Sequence, residues 1–300
     1  VGGADLVKAF RAGKSAATMR AYQSDLREFA ACVKAKSIRD AATRLLSRSH
    51  GEANLLAIQW RAYLMQKGRS PSGINRCMSA LRSLVTLANT LGLCGWNLNI
   101  TNVKHVGYRD TRGPGRAGFE SLLHAAKQQR PDKSARDAAL LWLLYTPALR
   151  RSEVAGLDVE HFDAQAARLH VLGKGKTERE PITLPLQTCE ALKAWLAVRG
   201  TAPGPLFQNC DRAKKGNGRL TANGVYRIVR RLGRRTQIEA RPHGLRHAGI
   251  TAALDATGGD VRSVRAFSRH ATVETVLHYD DNRSDKAGNV AQVVANGVQA

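Results

Sequence analysis

Three hundred residues, 43% of them hydrophobic, suffice for about two domains with real cores. Lys and Arg number 47 against 24 Asp and Glu, a net charge of +23 that both halves share: 16 minus 5, or +11, over residues 1–105, and 31 minus 19, or +12, over 106–300. Two basic bodies in one chain fit a polyanion as partner better than a basic tail does, and the apolar run at 138–145 is far too short for the roughly 20 residues that span a bilayer.

Five scattered cysteines (Cys32, Cys77, Cys94, Cys189, Cys210) without CxxC spacing argue against a disulfide framework or a zinc cluster and for a reducing compartment. With no signal peptide at the first residues, a cytoplasmic protein without a membrane partner is expected.

In chain order, residues 14–104 read as helical. Met19, Tyr22, Leu26, Phe29 and Cys32 recur at spacings of three and four and mark one helix face. A second helix is expected over 52–67, ending at Gly68. A third opens at Ser70-Pro71-Ser72 and carries Ile74, Met78, Leu81, Val85 and Ala88 to near Gly92. Residues 105–117, with three glycines, a proline and no apolar periodicity, read as a linker between domains 1–104 and 118–300. Its three arginines suit either a DNA backbone or plain solvent.

The second domain should begin with helices near 119–129 and 134–145, followed by a short helix after Arg150. Alternation around 167–171 and 180–184 predicts a β-hairpin whose turn holds Gly173-Lys174-Gly175. Helices are expected again at 186–198, 222–232, 243–256, 261–268 and 273–279. The expected fold class is mainly α with a small β-hairpin or sheet in the C-terminal domain.

Several residues suit phosphodiester chemistry, which needs a nucleophile, cations on the non-bridging oxygens and an acid for the leaving alkoxide. Arg150, where a buried helix ends, can offer a bidentate fork or serve structure; Glu153 can orient an arginine or complement a helix start. His243 and Arg246 share a helix face near an N-terminus that favours anions. His243 and His247, four apart, also suit zinc, but Gly244 stands where a metalloprotease helix needs Glu. Lys174 in its turn can reach a leaving oxygen, with Lys176 as a rival. His270 opens the last element before Tyr279, whose phenolate nearby cations would favour.

In this order the residues resemble the tyrosine recombinase (phage integrase) family, its Xer-like members in particular. Ala148-Leu-Arg-Arg-Ser-Glu153 matches the family's Gly-Leu-Arg-x-Ser-Glu box. Gly173-Lys174-Gly175 matches its hairpin box, His243-Gly-Leu-Arg246 its His-x-x-Arg, and His270 followed nine residues later by Tyr279 its Leu-Gly-His…Tyr box. Residues 70–82 resemble its helical, SAM-like core-binding domain.

The resemblance implies a clamp on double-stranded DNA and a homo-tetramer, or an assembly with a related recombinase, on synapsed sites near the nucleoid. It implies that no metal or other cofactor takes part. Tyr279 would form a 3′-phosphotyrosine, Arg150, Arg246 and His270 would bind the phosphate, Lys174 would protonate the leaving 5′ oxygen, and His243 would assist proton transfer. Valines 290, 293, 294 and 298 beyond Tyr279 would pack on a neighbouring protomer or on their own domain. The alternative is a clamp-type DNA-binding protein without activity. Two departures stand out: Ala148 for glycine, and Ser268-Arg269 for Leu-Gly, where Arg269 would either crowd His270 or add a phosphate contact.

Overall fold

In the computed structural model the chain divides into two compact units, Val1–Tyr108 and Arg109–Ala300. The structure describes residues 3–12, 14–104, 113–210, 218–277, 279 and 286–297. Most of the expected linker, 105–112, therefore lies outside the described residues, as do the side chains of Val290, Val293 and Val298; Val294 is exposed.

The first unit is helical: α1 (Gly3–Ala12), α2 (Ala16–Cys32), α3 (Ile38–Leu46), α4 (His50–Gln66) and α5 (Pro71–Thr90). Serines start four of them. Ser15, Ser37, Ser49 and Ser70 each accept a backbone N–H of the first turn, Ser49 forms a reciprocal capping box with Glu52, and Pro71 follows Ser70 in the first helical position. Helices α1 and α3 go beyond the three helices individually expected. Both are short, so their apolar residues span too few turns to stand out as a periodic face. Phe29 and Trp60, with ring centroids 4.9 Å apart, centre the core with Leu64, Met78 and Leu81. One buried charge is matched: Asp25 accepts from Arg76 Nε and Nη2 at 2.9 and 2.8 Å, joining α2 to α5. The segment after α5 is fastened by Asn75, which exchanges hydrogen bonds with the backbone of Val103, and by Arg82 donating to Ile100 O.

The second unit begins with α6 (Gly115–Lys127) and α7 (Pro131–Tyr145), each starting a few residues earlier than expected. Short α8 (Arg151–Ala155) leads to β1 (Phe162–Asp163), β2 (Arg168–Leu172) and β3 (Arg179–Thr183), an antiparallel sheet in the order β1-β2-β3. The hairpin pairs Leu169 with Ile182, and β1 adds a third strand too short for alternation to reveal. Then come α9 (Leu186–Arg199), α10 (Ala222–Arg235), α11 (Pro242–Ala256), α12 (Val261–Ser268), α13 (Val273–Leu277) and α14 (Lys286–Asn296). The fold is thus mainly α with a small sheet. Among the described residues no helix is long and apolar enough to cross a membrane.

The buried helix α7 is the hub of this unit, packing on α6, α9 and α11. Its approach to α11 depends on Gly249: a Cβ there would lie 2.0 Å from the Tyr145 carbonyl oxygen, a backbone atom that cannot step aside. Gly249→Ala is expected to destabilise the protein by about 2–4 kcal/mol by urea unfolding, because the two helices must separate.

Candidate active site

Four short segments of the second unit converge: the α7–α8 junction, the first turns of α11, the end of α12, and the turn after α13. The junction reverses the chain through Pro147 and Ala148. Ala148 is buried and takes φ 48°, the left-handed region that explains glycine in the corresponding family box, and Leu149 N–H closes the turn on Leu143 O at 3.0 Å. Arg150 follows as the N-cap of α8. Its backbone N–H and Nη1 both donate to Glu153, at 2.8 and 2.7 Å, so one carboxylate fixes both the helix start and the guanidinium. Burial alone would raise the Glu153 carboxyl. The hydrogen bonds from Arg150 and the charges of Arg269 and Arg150 outweigh it and hold the group below its ordinary range.

Arg246 projects from α11 into the interior with 2% of its surface exposed. Nη1 donates to Ala148 O, Nη2 donates to Ser268 O at 2.5 Å, and Nη2 lies 3.1 Å from His270 Nε2. One guanidinium thus ties the junction to the end of α12 and to the imidazole. Loss of hydration, then the neighbouring Arg150 and Arg269, push its pKa down to about 10, which leaves it a cation at neutral pH.

His270 is held on both sides, with Nδ1 2.9 Å from Ser268 Oγ. Loss of hydration comes first, followed by the positive Arg246, Arg150 and Arg269 and by His243, and together they push its pKa down to about 4. His243, in the first turn of α11, is likewise lowered by lost hydration and by Arg246 and Arg150. Tyr279 sits two residues past α13, its N–H bonded to Val276 O at 2.9 Å and 7% of its surface exposed. Its ring stacks on His270 at 5.4 Å between centroids and rests on His247 at 4.6 Å. Beneath it lie Ala148, Ile250, Leu254, Val264 and Val276.

Of the six residues singled out from sequence, Arg150, Arg246, His270 and Tyr279 are brought together, and His243 stands within electrostatic reach of them. Lys174 is exposed on the β2–β3 turn, where Gly175 takes φ 80°. It shares no hydrogen bond or ion pair with the other five among the described residues. Its rival Lys176 pairs with Glu180 at 3.0 Å.

Arg269 bonds through its side chain to the α7–α8 junction rather than to His270. It caps α12 in the left-handed conformation, φ 54°, which turns its side chain back to the junction; there it donates to Pro147 O (3.1 Å), Phe267 O (3.3 Å) and Glu153 (3.2 Å). Sequence reasoning missed that role, and it missed two contacts altogether: Ser268 against His270 and His247 against Tyr279. The only sequence signal for them was adjacency, Ser268 two residues before His270 and His247 next to Arg246.

These histidines set an acid limit on stability. A histidine pushed down on folding is protonated more readily in the unfolded chain, so its stabilising neutral state is fully present above about pH 6.5 and is lost as pH falls toward 4. Urea unfolding should therefore show stability falling between pH 7 and pH 5, with a smaller fall in His270→Gln.

A profile of the phage integrase family matches residues 117–286. A tyrosine recombinase of Synechococcus elongatus is 38% identical over 94% of this chain and 90% of its own length. A tyrosine recombinase of Synechocystis is 34% identical over 97% and 94%. Among solved structures, the recombinase XerH bound to palindromic difH DNA in a post-cleavage complex aligns with TM-score 0.64 and 20% identity over 92% of this chain and 77% of its own. The integrase of transposon Tn1549 with circular-intermediate DNA aligns at 0.62 and 17% over 89% and 98%; at these identities the likeness speaks for the fold. The protein belongs to the phage integrase family, the tyrosine recombinases.

Proposed function

We propose that this family member is an active site-specific recombinase that cuts and rejoins duplex DNA. The observation that carries the reading is the single cluster in which the Tyr279 ring stacks on His270, His270 meets Arg246, and Arg150 is fixed by Glu153. Tyr279 Oη attacks the scissile phosphorus and forms a 3′-phosphotyrosine while the 5′ oxygen leaves. Arg150, Arg246 and His270 bind the non-bridging oxygens, where charge accumulates in the transition state. Lys174, carried on its turn, delivers a proton to the leaving oxygen, and His243 assists proton transfer. The covalent link conserves the bond energy, so rejoining by a 5′-hydroxyl regenerates the phosphodiester without ATP. Four protomers on two synapsed sites provide the four strand cuts that exchange requires, and the DNA substrate places the work at the bacterial nucleoid. No observation favours the inactive clamp, since every side chain the reaction calls for is present.

The test is a duplex nicked beside the crossover, carrying a site recovered by enrichment from random DNA, incubated in parallel without EDTA and with excess EDTA. A covalent protein–DNA adduct supports the reading. Tight binding with no adduct contradicts it, and an adduct that EDTA abolishes points to a metal. Binding should also weaken steeply with salt, by about 10³-fold or more between 50 and 200 mM if six or more phosphates are neutralised.

A further inference from the structure

The family box that His270 closes carries leucine two residues earlier, a side chain that cannot hydrogen-bond. Here Ser268 occupies that place, fully buried, with Oγ 2.9 Å from His270 Nδ1 and 3.3 Å from Arg265 O. The other ring nitrogen, Nε2, lies 3.1 Å from Arg246 Nη2. A guanidinium has donors only, so in this arrangement Nε2 accepts and the ring proton is on Nδ1. Nδ1–H then donates to Ser268 Oγ, and the serine hydroxyl donates onward to Arg265 O. Each of these donors and acceptors has a partner, and the chain of bonds runs in one direction.

A phosphate oxygen bound at Nε2 demands the reverse, because it accepts and so requires Nε2–H. Because burial and the surrounding arginines keep the ring neutral, it meets that demand by losing its Nδ1 proton to water and taking one from water at Nε2, with no change in charge. Nδ1 becomes an acceptor and needs a donor beside it. A serine hydroxyl serves either tautomer by rotating about its Cβ–Oγ bond while its own proton stays in place.

We propose that Ser268 is a positioning residue for His270: its hydroxyl holds the ring in a single plane as the Nδ1–H tautomer in the free protein and, after rotating, as the Nε2–H tautomer that the scissile phosphate requires. The proposal rests on the phosphate-binding role given to His270 above.

The test combines nitrogen-15 spectra of histidine-labelled protein with single-turnover cleavage of the nicked substrate, for wild type, Ser268→Ala and His270→Gln. The His270 resonances are assigned by their loss in His270→Gln. In the free wild type Nδ1 should show the protonated shift and Nε2 the unprotonated one, with the pattern exchanged when DNA binds to a Tyr279→Phe background. Ser268→Ala should shift the free protein's tautomer balance and slow cleavage by roughly tenfold, the worth of one hydrogen bond, with DNA affinity unchanged. Unaltered His270 shifts in Ser268→Ala, or cleavage at the wild-type rate, overturns the proposal. Full cleavage by His270→Gln instead overturns the role assigned to His270, and the spectra still report on the Ser268 contact alone.

Discussion

Tyr279→Phe is expected to lower covalent adduct formation by at least about a thousandfold while leaving DNA affinity within about threefold of wild type. The substitution removes one oxygen and keeps the ring. Packing on His270 and His247 and the buried contacts with Ile250, Leu254 and Val276 all persist, so neither the unit's stability nor its basic surface changes. A loss that large can therefore come only from the missing nucleophile. Electrophoresis of the denatured adduct measures the first quantity and a filter-binding titration the second. If the phenylalanine protein still forms adduct at a substantial rate, another side chain is the nucleophile.

Arg150→Ala is expected to slow cleavage by about 10²–10³-fold, the range for removing a preorganised donor from a developing oxyanion. Binding should weaken far less, since Arg150 is one of 47 basic residues spread over both units. The Arg150 guanidinium is held at 2.7 Å by Glu153, which Arg269 also holds at 3.2 Å, so it is aimed before DNA arrives. Glu153→Gln keeps the shape but discards the charge that steadies both arginines, and should give a smaller loss in the same direction. Equal losses of cleavage and binding in Arg150→Ala would make that residue a positioning contact along the DNA backbone.

The sequence reports best on features whose physics is local. The Ser70-Pro71 pair announces a helix start because capping involves neighbouring residues, and the His243–Arg246 spacing implies a shared face because both lie on one helix. The hairpin around Lys174 is legible for the same reason, since alternation and a glycine turn are local. Whether Lys174 meets the other five residues depends on how the hairpin lies over the unit, and periodicity carries no such information.

The end of α12 shows the limit most clearly. Beside His270, Arg269 reads as a steric problem or as an extra phosphate ligand. Its left-handed backbone and a reach across more than a hundred residues to Pro147 and Glu153 make it a tie to the other departure from the family pattern, Ala148, whose φ is also positive. The two glycine positions of the family boxes thus meet in space, with Arg269 Nη2 3.5 Å from Ala148 O. Only tertiary structure brings them into the same view.

Mapping the covalent adduct identifies the nucleophile and the strand end it holds. The nicked DNA is trapped on the protein in EDTA, the complex is digested with trypsin and nuclease, and the nucleotide-bearing peptide is sequenced by mass spectrometry. The expected product is a nucleotide joined through its 3′-phosphate to Tyr279, with a free 5′-hydroxyl on the released strand. A phosphate on any other residue, or a 5′-linked nucleotide, would contradict it.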